Sequence, residues 1–218
     1  MLQDLVHLNE SGWWWPNSDE EKGRGAWNDL FYIFSKTPEK IASICQNKRV
    51  IVQAGGNCGI YVKKYAELFE TVYTFEPDPV NFYCLNLNVT NENVYKFQAA
   101  VGVDRECISI FNEMPYNAGA GHVKRGGVIP TIRIDDLGLL VCDVIQLDIE
   151  GFELYALQGA IETIKRCKPI IVLEYFWESR YGVTRGEIEK LLVEIGYKVG
   201  GNIPESQNDV YYAPVEEK

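Results

Sequence analysis

Val50-Ile51-Val52-Gln53-Ala54-Gly55-Gly56-Asn57-Cys58-Gly59 joins a short β-branched run to a glycine-rich corner. A run this apolar predicts a strand covered on both faces. Glycines at its end permit a sharp turn and a close approach of ligand to main chain. The helix predicted over 59–69 would then open with unpaired amides aimed at that ligand. The spacing departs from Gly-x-Gly-x-x-Gly. It is also not a P-loop, since no Gly-Lys-Ser/Thr follows.

Outward from this corner the chain alternates. Strands are predicted at 72–75, 94–101, 143–147 and 169–175, with short closing strands at 197–199 and 210–212. Helices are predicted at 79–90, where Pro79 suits the first turn, and through Leu154, Leu157, Ile161 and Ile164 at helical spacing. A further helix starts near Thr184 and carries Ile188, Leu191, Leu192 and Ile195. Strands alternating with helices predict an α/β fold with a mostly parallel sheet and right-handed crossovers. Residues 107–136 interrupt the rhythm as an insertion, with extended runs at 108–111 and 128–134 around a Gly-rich loop at 116–127. Such insertions near a sheet's working edge carry substrate contacts. The domain proper spans 49–218. Residues 1–48 form an irregular extension with Trp13-Trp14-Trp15-Pro16, an aromatic run from Trp27 to Phe34 read as a helix, and a short helix after Pro38. Three consecutive tryptophans cannot all enter one core. The segment is read as a lid over the site or a platform for a sugar-like acceptor, with dimerisation through the same aromatic surface as the alternative.

With 218 residues, 46% hydrophobic and 24% charged, the chain can bury a full core without covalent staples. A net charge of −10 argues against binding to phosphate backbones, so no nucleic-acid partner is expected. The 6 cysteines are scattered without a Cys-x-x-Cys pair, which gives no zinc spacing, and most read as small buried hydrophobes. No apolar run reaches membrane-spanning length and residues 1–10 do not resemble a signal peptide. A cytoplasmic protein with reduced thiols and no membrane partner is the expectation.

Three acids end strands at the sheet's carboxyl edge, where open α/β sheets bind ligands. Glu76 lies about 20 residues past the glycines, the place of a carboxylate that accepts both ribose hydroxyls of a nucleoside cofactor. Asp148 follows the strand at 143–147. Glu150 and Glu153 begin the next helix, where acids also serve as caps. Glu174 ends the strand at 169–175, and His122 lies in the Gly-rich loop. Asp148, Glu174 and His122 are therefore the candidate bases. Asp148 and Glu174 could alternatively hold a divalent metal through oxygen.

Taken together, Val52 to Gly59, Phe75-Glu76-Pro77-Asp78-Pro79 with Leu85-Asn86-Leu87-Asn88, Gln98 to Gly102, Thr131 to Leu137 and Asp143 to Gly159 resemble the FkbM family of S-adenosylmethionine-dependent methyltransferases. The resemblance spans roughly residues 49–175. It implies a class I, Rossmann-like methyltransferase fold: a seven-stranded, mostly parallel sheet with a reversed last strand and helices on both faces. It implies S-adenosylmethionine as cofactor, with Gly55, Asn57 and Gly59 lining its methionine side and Gln53 and Gly56 also among the residues that bind it. Glu76 would take the ribose, Ala99 and Ala100 would lie near adenine, and Asp148 would face the sulfur. The implied reaction is O-methylation of a small-molecule or glycan acceptor. Two positions depart from the family's pattern: Gln53 stands where an acid is common, and Gln146 where a lysine is common. A nicotinamide-dependent Rossmann enzyme and a catalytically silent cofactor-binding module are the rival readings.

Overall fold

Ile51 and Val52 are both fully buried, yet they enter different cores. Successive strand side chains point to opposite faces, so burying both requires helices on both sides of the sheet. Each such side chain contributes about 1.5–3 kcal/mol on burial. The computed structural model shows that arrangement and describes residues 1–20, 36–114, 116–175, 178–204, 206 and 208–215.

The strands are β1 (Val6–Leu8), β2 (Trp14–Pro16), β3 (Val50–Ala54), β4 (Thr71–Phe75), β5 (Val94–Phe97), β6 (Ala100–Val101), β7 (Cys107–Phe111), β8 (His122–Arg125), β9 (Ile129–Ile132), β10 (Val144–Leu147), β11 (Ile170–Glu174), β12 (Tyr197–Asn202) and β13 (Asp209–Pro214). The α-helices described are α1 (Asn17–Glu20), α2 (Thr37–Ser43), α3 (Ile60–Leu68), α4 (Pro79–Asn88), α5 (Glu153–Gln158), α6 (Ile161–Cys167) and α7 (Arg185–Glu194). The main sheet has seven strands in the order β12-β13-β11-β10-β3-β4-β5. Only β13 runs against its neighbours, as expected for this fold. One face packs Ile51, Val72, Val144 and Val172 against α2, α3 and α4. The other packs Val52, Ile145, Ile171 and Leu173 against α5, α6 and α7. Asp143, at the opposite end of the sheet from the ligand edge, is bound by Arg49 and so serves the fold.

Capping chemistry sets the helix ends. Asp78 accepts from the amides of Val80 and Asn81 at the start of α4, with Pro79 in its first turn. Thr184 and Glu187 form a capping box at the start of α7.

Four expectations are corrected. The single strand at 94–101 is two: β5 stays in the main sheet, whereas β6 leaves it to pair with β9. Apolar alternation does not record a change of partner. The single helix after β10 breaks at Gly159, because a Cβ there would fall on the carbonyl oxygen of Gly102. Asp135 restarts it by accepting from the amides of Glu162 and Thr163. The loop at 116–127 contains β8, which joins β7, β9 and β6 in a second sheet of four strands. Residues 1–48 include a β1–β2 hairpin that packs on α4. The helix expected from Trp27 to Phe34 lies outside the described residues.

Candidate active site

A cavity of about 470 Å³ opens at the carboxyl ends of β3, β4, β10 and β11. Its floor is the glycine corner. Gly55 has φ of 88°, and a Cβ on it would fall on the carbonyl oxygen of Asp148. Glycine is therefore required here to let β3 and the segment after β10 touch. Asn57 is left-handed without being glycine, with φ of 45°.

The amides of the corner itself are taken within the protein. Gly55 and Gly56 both donate to the carbonyl oxygen of Phe75, at 3.0 and 2.9 Å. Asn57 donates to Glu76 Oε2 at 2.7 Å, Cys58 to Asn57 Oδ1 at 2.6 Å, and Gly59 to the Gly56 carbonyl at 2.9 Å. Every amide from Gly55 to Gly59 thus has an acceptor within the protein, and the corner supplies shape instead of donors.

Glu76 is buried and lines the cavity. Its two oxygens accept from the amides of Asn57 and Asp78, at 2.7 and 2.8 Å. These bonds fix the carboxylate plane and leave lone pairs for further donors. Burial nevertheless pushes its pKa up to about 8, against the lowering by the two amides. Ala99 and Ala100 line the wall beside it, and Phe75 stacks on Phe97 at its base with 4.9 Å between ring centroids.

Asp148, Glu150 and Glu174 line the opposite wall. Burial, and then the charge of the adjoining Glu174, push the Asp148 carboxyl well above the carboxylate range. Burial and Glu174 push Glu150 up to about 8, while Arg180, at 3.3 Å, opposes the shift. Glu150 also has φ of 59°, backbone strain at the cavity wall. Glu153 is buried and points back into its turn, accepting from the amides of Ile149 and Gly151, so it is a cap.

Three candidates stand off the cavity wall. Gln53 is buried in the sheet, its Nε2 donating to the Gly55 carbonyl and its Oε1 accepting from Thr74 Oγ1 at 2.6 Å. Gly59 faces Leu85 and Val89 of the α4 region. His122 lies on β8, packed edge-on against Phe111, so it is held in a strand and not in the flexible loop expected. Burial lowers its pKa, followed by the charge of Arg180. Gln53 and Gln146, the two departures from the family pattern, oppose each other in the β3–β10 register and are both buried. In-register residues share a face, so the two changes form one neutral pair inside the sheet.

Trp15 of the tryptophan run and the Gly-rich stretch, both singled out in the sequence, also line the cavity and form its roof. Trp15 of β2 reaches the wall, and Asn117 to Gly121 cross over it. Asn81 on α4 holds this crossing by donating from Nδ2 to the Ala118 carbonyl at 2.8 Å. Trp13 and Trp14 are half-buried, with Lys63 lying 5.0 Å from the centroid of the Trp13 ring.

The family profile described as the Methyltransferase FkbM domain matches residues 53–199. An FkbM methyltransferase from Methylobacillus flagellatus is similar in structure, with 19% identity and a TM-score of 0.51; the match covers 77% of this chain and 43% of that one. This chain thus spans under half the length of that protein. A TehB-like SAM-dependent methyltransferase from Corynebacterium glutamicum shares the fold at 12% identity and a TM-score of 0.53, over 88% of this chain and 95% of that one. A Streptococcus mutans protein solved in complex with SAH does so at 9% identity and 0.53, over 82% and 96%. No curated protein matches the sequence. Among the described residues, no helix is long and apolar enough to cross a membrane.

Proposed function

Because the chain belongs to the FkbM methyltransferase family, we propose that it methylates a hydroxyl group of a neutral sugar or other small metabolite. It is an S-adenosylmethionine-dependent methyltransferase. That cofactor supplies a methyl group already activated on a sulfonium.

The observation that carries the reading is the cavity's one-sided chemistry. Its wall holds Glu76, Asp148, Glu150 and Glu174 as acceptors, and among the described residues no lysine, arginine or histidine lines it. A nucleoside with ribose hydroxyls, an ammonium and a sulfonium offers the matching donors and positive charge. A dinucleotide pyrophosphate instead needs free amides at the glycine corner, and here those amides are occupied. The residues therefore fit the methyl donor and disfavour a nicotinamide cofactor. Glu76 would hold the ribose, Ala99 and Ala100 would flank the adenine, and Asn57 with Asp148 would meet the methionine end.

An alcohol acceptor must lose its proton as its oxygen is alkylated. The Asp148–Glu174 pair is the group placed for it. Asp148 and Glu174 line the same wall side by side, and their oxygens are the acceptors available for that proton. Fixing the acceptor hydroxyl beside Asp148 supplies the alignment an in-line displacement demands. The same wall, among the described residues, offers no cation to a phosphorylated acceptor.

The test is a radiolabelled methyl-transfer assay over neutral and phosphorylated sugars and hydroxylated metabolites. Label on a neutral hydroxyl compound is expected. Preferred labelling of phosphorylated compounds contradicts the acceptor class. Cofactor retention without turnover on any compound favours the silent binding module.

A further inference from the structure

Asp19 is fully buried, although it belongs to the four-residue helix that follows the tryptophans. Its carboxylate ties together two segments 99 positions apart in sequence. Oδ2 accepts from the indole Nε1 of Trp15 at 2.6 Å, and Oδ1 accepts from the amide of Ala118 at 3.1 Å. Trp15 and Ala118 both line the cavity. Trp15 is buried, so its indole N–H needs a partner within the protein, and charge-assisted bonds of this kind are the strong ones. Each end is anchored separately. Trp14 and Asn88 exchange two bonds, at 2.8 and 2.9 Å, which pin β2 to α4; Asn81 holds Ala118 from below.

From this we infer that Asp19 is a positioning residue of the cofactor site: it clasps Trp15 and the Asn117–Gly121 crossing into one roof that retains the bound nucleoside. The inference rests on the cofactor reading above. Asp19 touches no reacting atom. Its effect is on how fast the roof opens, so it belongs in the release rate of the cofactor product and in the cofactor KM. The methyl-transfer step itself does not depend on it.

The experiment compares wild-type protein with Asp19→Asn, Trp15→Phe and the double variant. Release of S-adenosylhomocysteine is followed by stopped flow, and amide exchange is followed by NMR in the ligand-free protein. An asparagine can still accept from Ala118 but faces the indole N–H with a lost acceptor. Release is expected to speed up about tenfold, the effect of losing one charge-assisted bond. The cofactor KM rises with it and kcat at saturation is little changed. Ala118 exchange accelerates, while Val52 and Ile145 in β3 and β10 keep their protection. Trp15→Phe is expected to speed release to a similar degree, and adding Asp19→Asn to it adds little further, because both remove the same bond. Unchanged release in folded Asp19→Asn and Trp15→Phe proteins overturns the inference. If Asp19→Asn does not fold, Trp15→Phe alone decides it, since that variant keeps the aspartate. Wild-type protein that fails to bind S-adenosylhomocysteine refutes the cofactor reading and Asp19's part in retention with it. Binding with unchanged release refutes Asp19's part alone.

Discussion

Glu76 and Asp148 flank β3 on opposite sides, each just past the tip of a parallel strand, and their surroundings differ in kind. Glu76 is fixed by two backbone N–H donors. Asp148 has another acid, Glu174, beside it on the wall. A carboxylate held by donors keeps one orientation and serves recognition. A carboxyl raised by burial and by a neighbouring acid's charge serves proton transfer. Position at the sheet edge is the same for both; partners separate holding from reacting.

The strongest way to break this contrast is Asp148→Asn. The variant is expected to lose about 10³-fold in kcat, within the range for removing a general base, while S-adenosylhomocysteine affinity changes only a few-fold. Equal loss of binding and turnover would make Asp148 a holding residue like Glu76. Glu76→Gln should do the reverse. Its affinity for S-adenosylhomocysteine falls about 10–100-fold, because an amide accepts through only one of the two oxygens, while kcat at saturating cofactor is largely kept.

A smaller effect is in pH. Burial raises Glu76 and Glu150 to about 8, Glu153 to about 7 and Asp209 to about 6, all above their unfolded values. The folded state therefore binds more protons than the unfolded state between roughly pH 4.5 and 8. This stability is fully present below the unfolded values and is lost as pH rises through the folded ones. The urea midpoint of the ligand-free protein should fall from pH 5.5 to 8.5, and Glu76→Gln should shallow the fall. A midpoint that rises over this window contradicts the burial of these acids. The smallest effect is expected at Gln146, whose buried Oε1 has no hydrogen-bond partner. Gln146→Met should leave turnover unchanged and shift stability by about 1 kcal/mol or less, in either direction.

The contrast between Glu76 and Asp148 could be anticipated only in part. Both stand directly after apolar runs, so strand periodicity alone delivers them to the ligand edge, and the same periodicity yields the β3–α3 corner and the order of layers. Their partners were not legible. The amides that hold Glu76 come from a left-handed Asn57 and from the turn at Asp78, and neither has a periodic signature. The amides from Gly55 to Gly59 go to the Phe75 and Gly56 carbonyls and to the Glu76 and Asn57 side chains, partners no periodic pattern announces. The roof depends on contacts over long sequence separations. Asn81 sits in an ordinary helix and Asp19 in a polar stretch, and only the folded chain brings them to Ala118. His122 misled because a Gly-rich segment hid a short strand paired with β7.

The central claim is that a methyl-donor nucleoside lies across the strand tips with Glu76 on its ribose. Calorimetric titration of the wild-type and Glu76→Gln proteins with S-adenosylhomocysteine, and with NAD in parallel, tests it most directly. Saturable one-to-one binding of S-adenosylhomocysteine, weakened at least tenfold by Glu76→Gln, with no heat from NAD, is the predicted result. Binding of NAD in preference, or of S-adenosylhomocysteine with an affinity indifferent to Glu76, would contradict it.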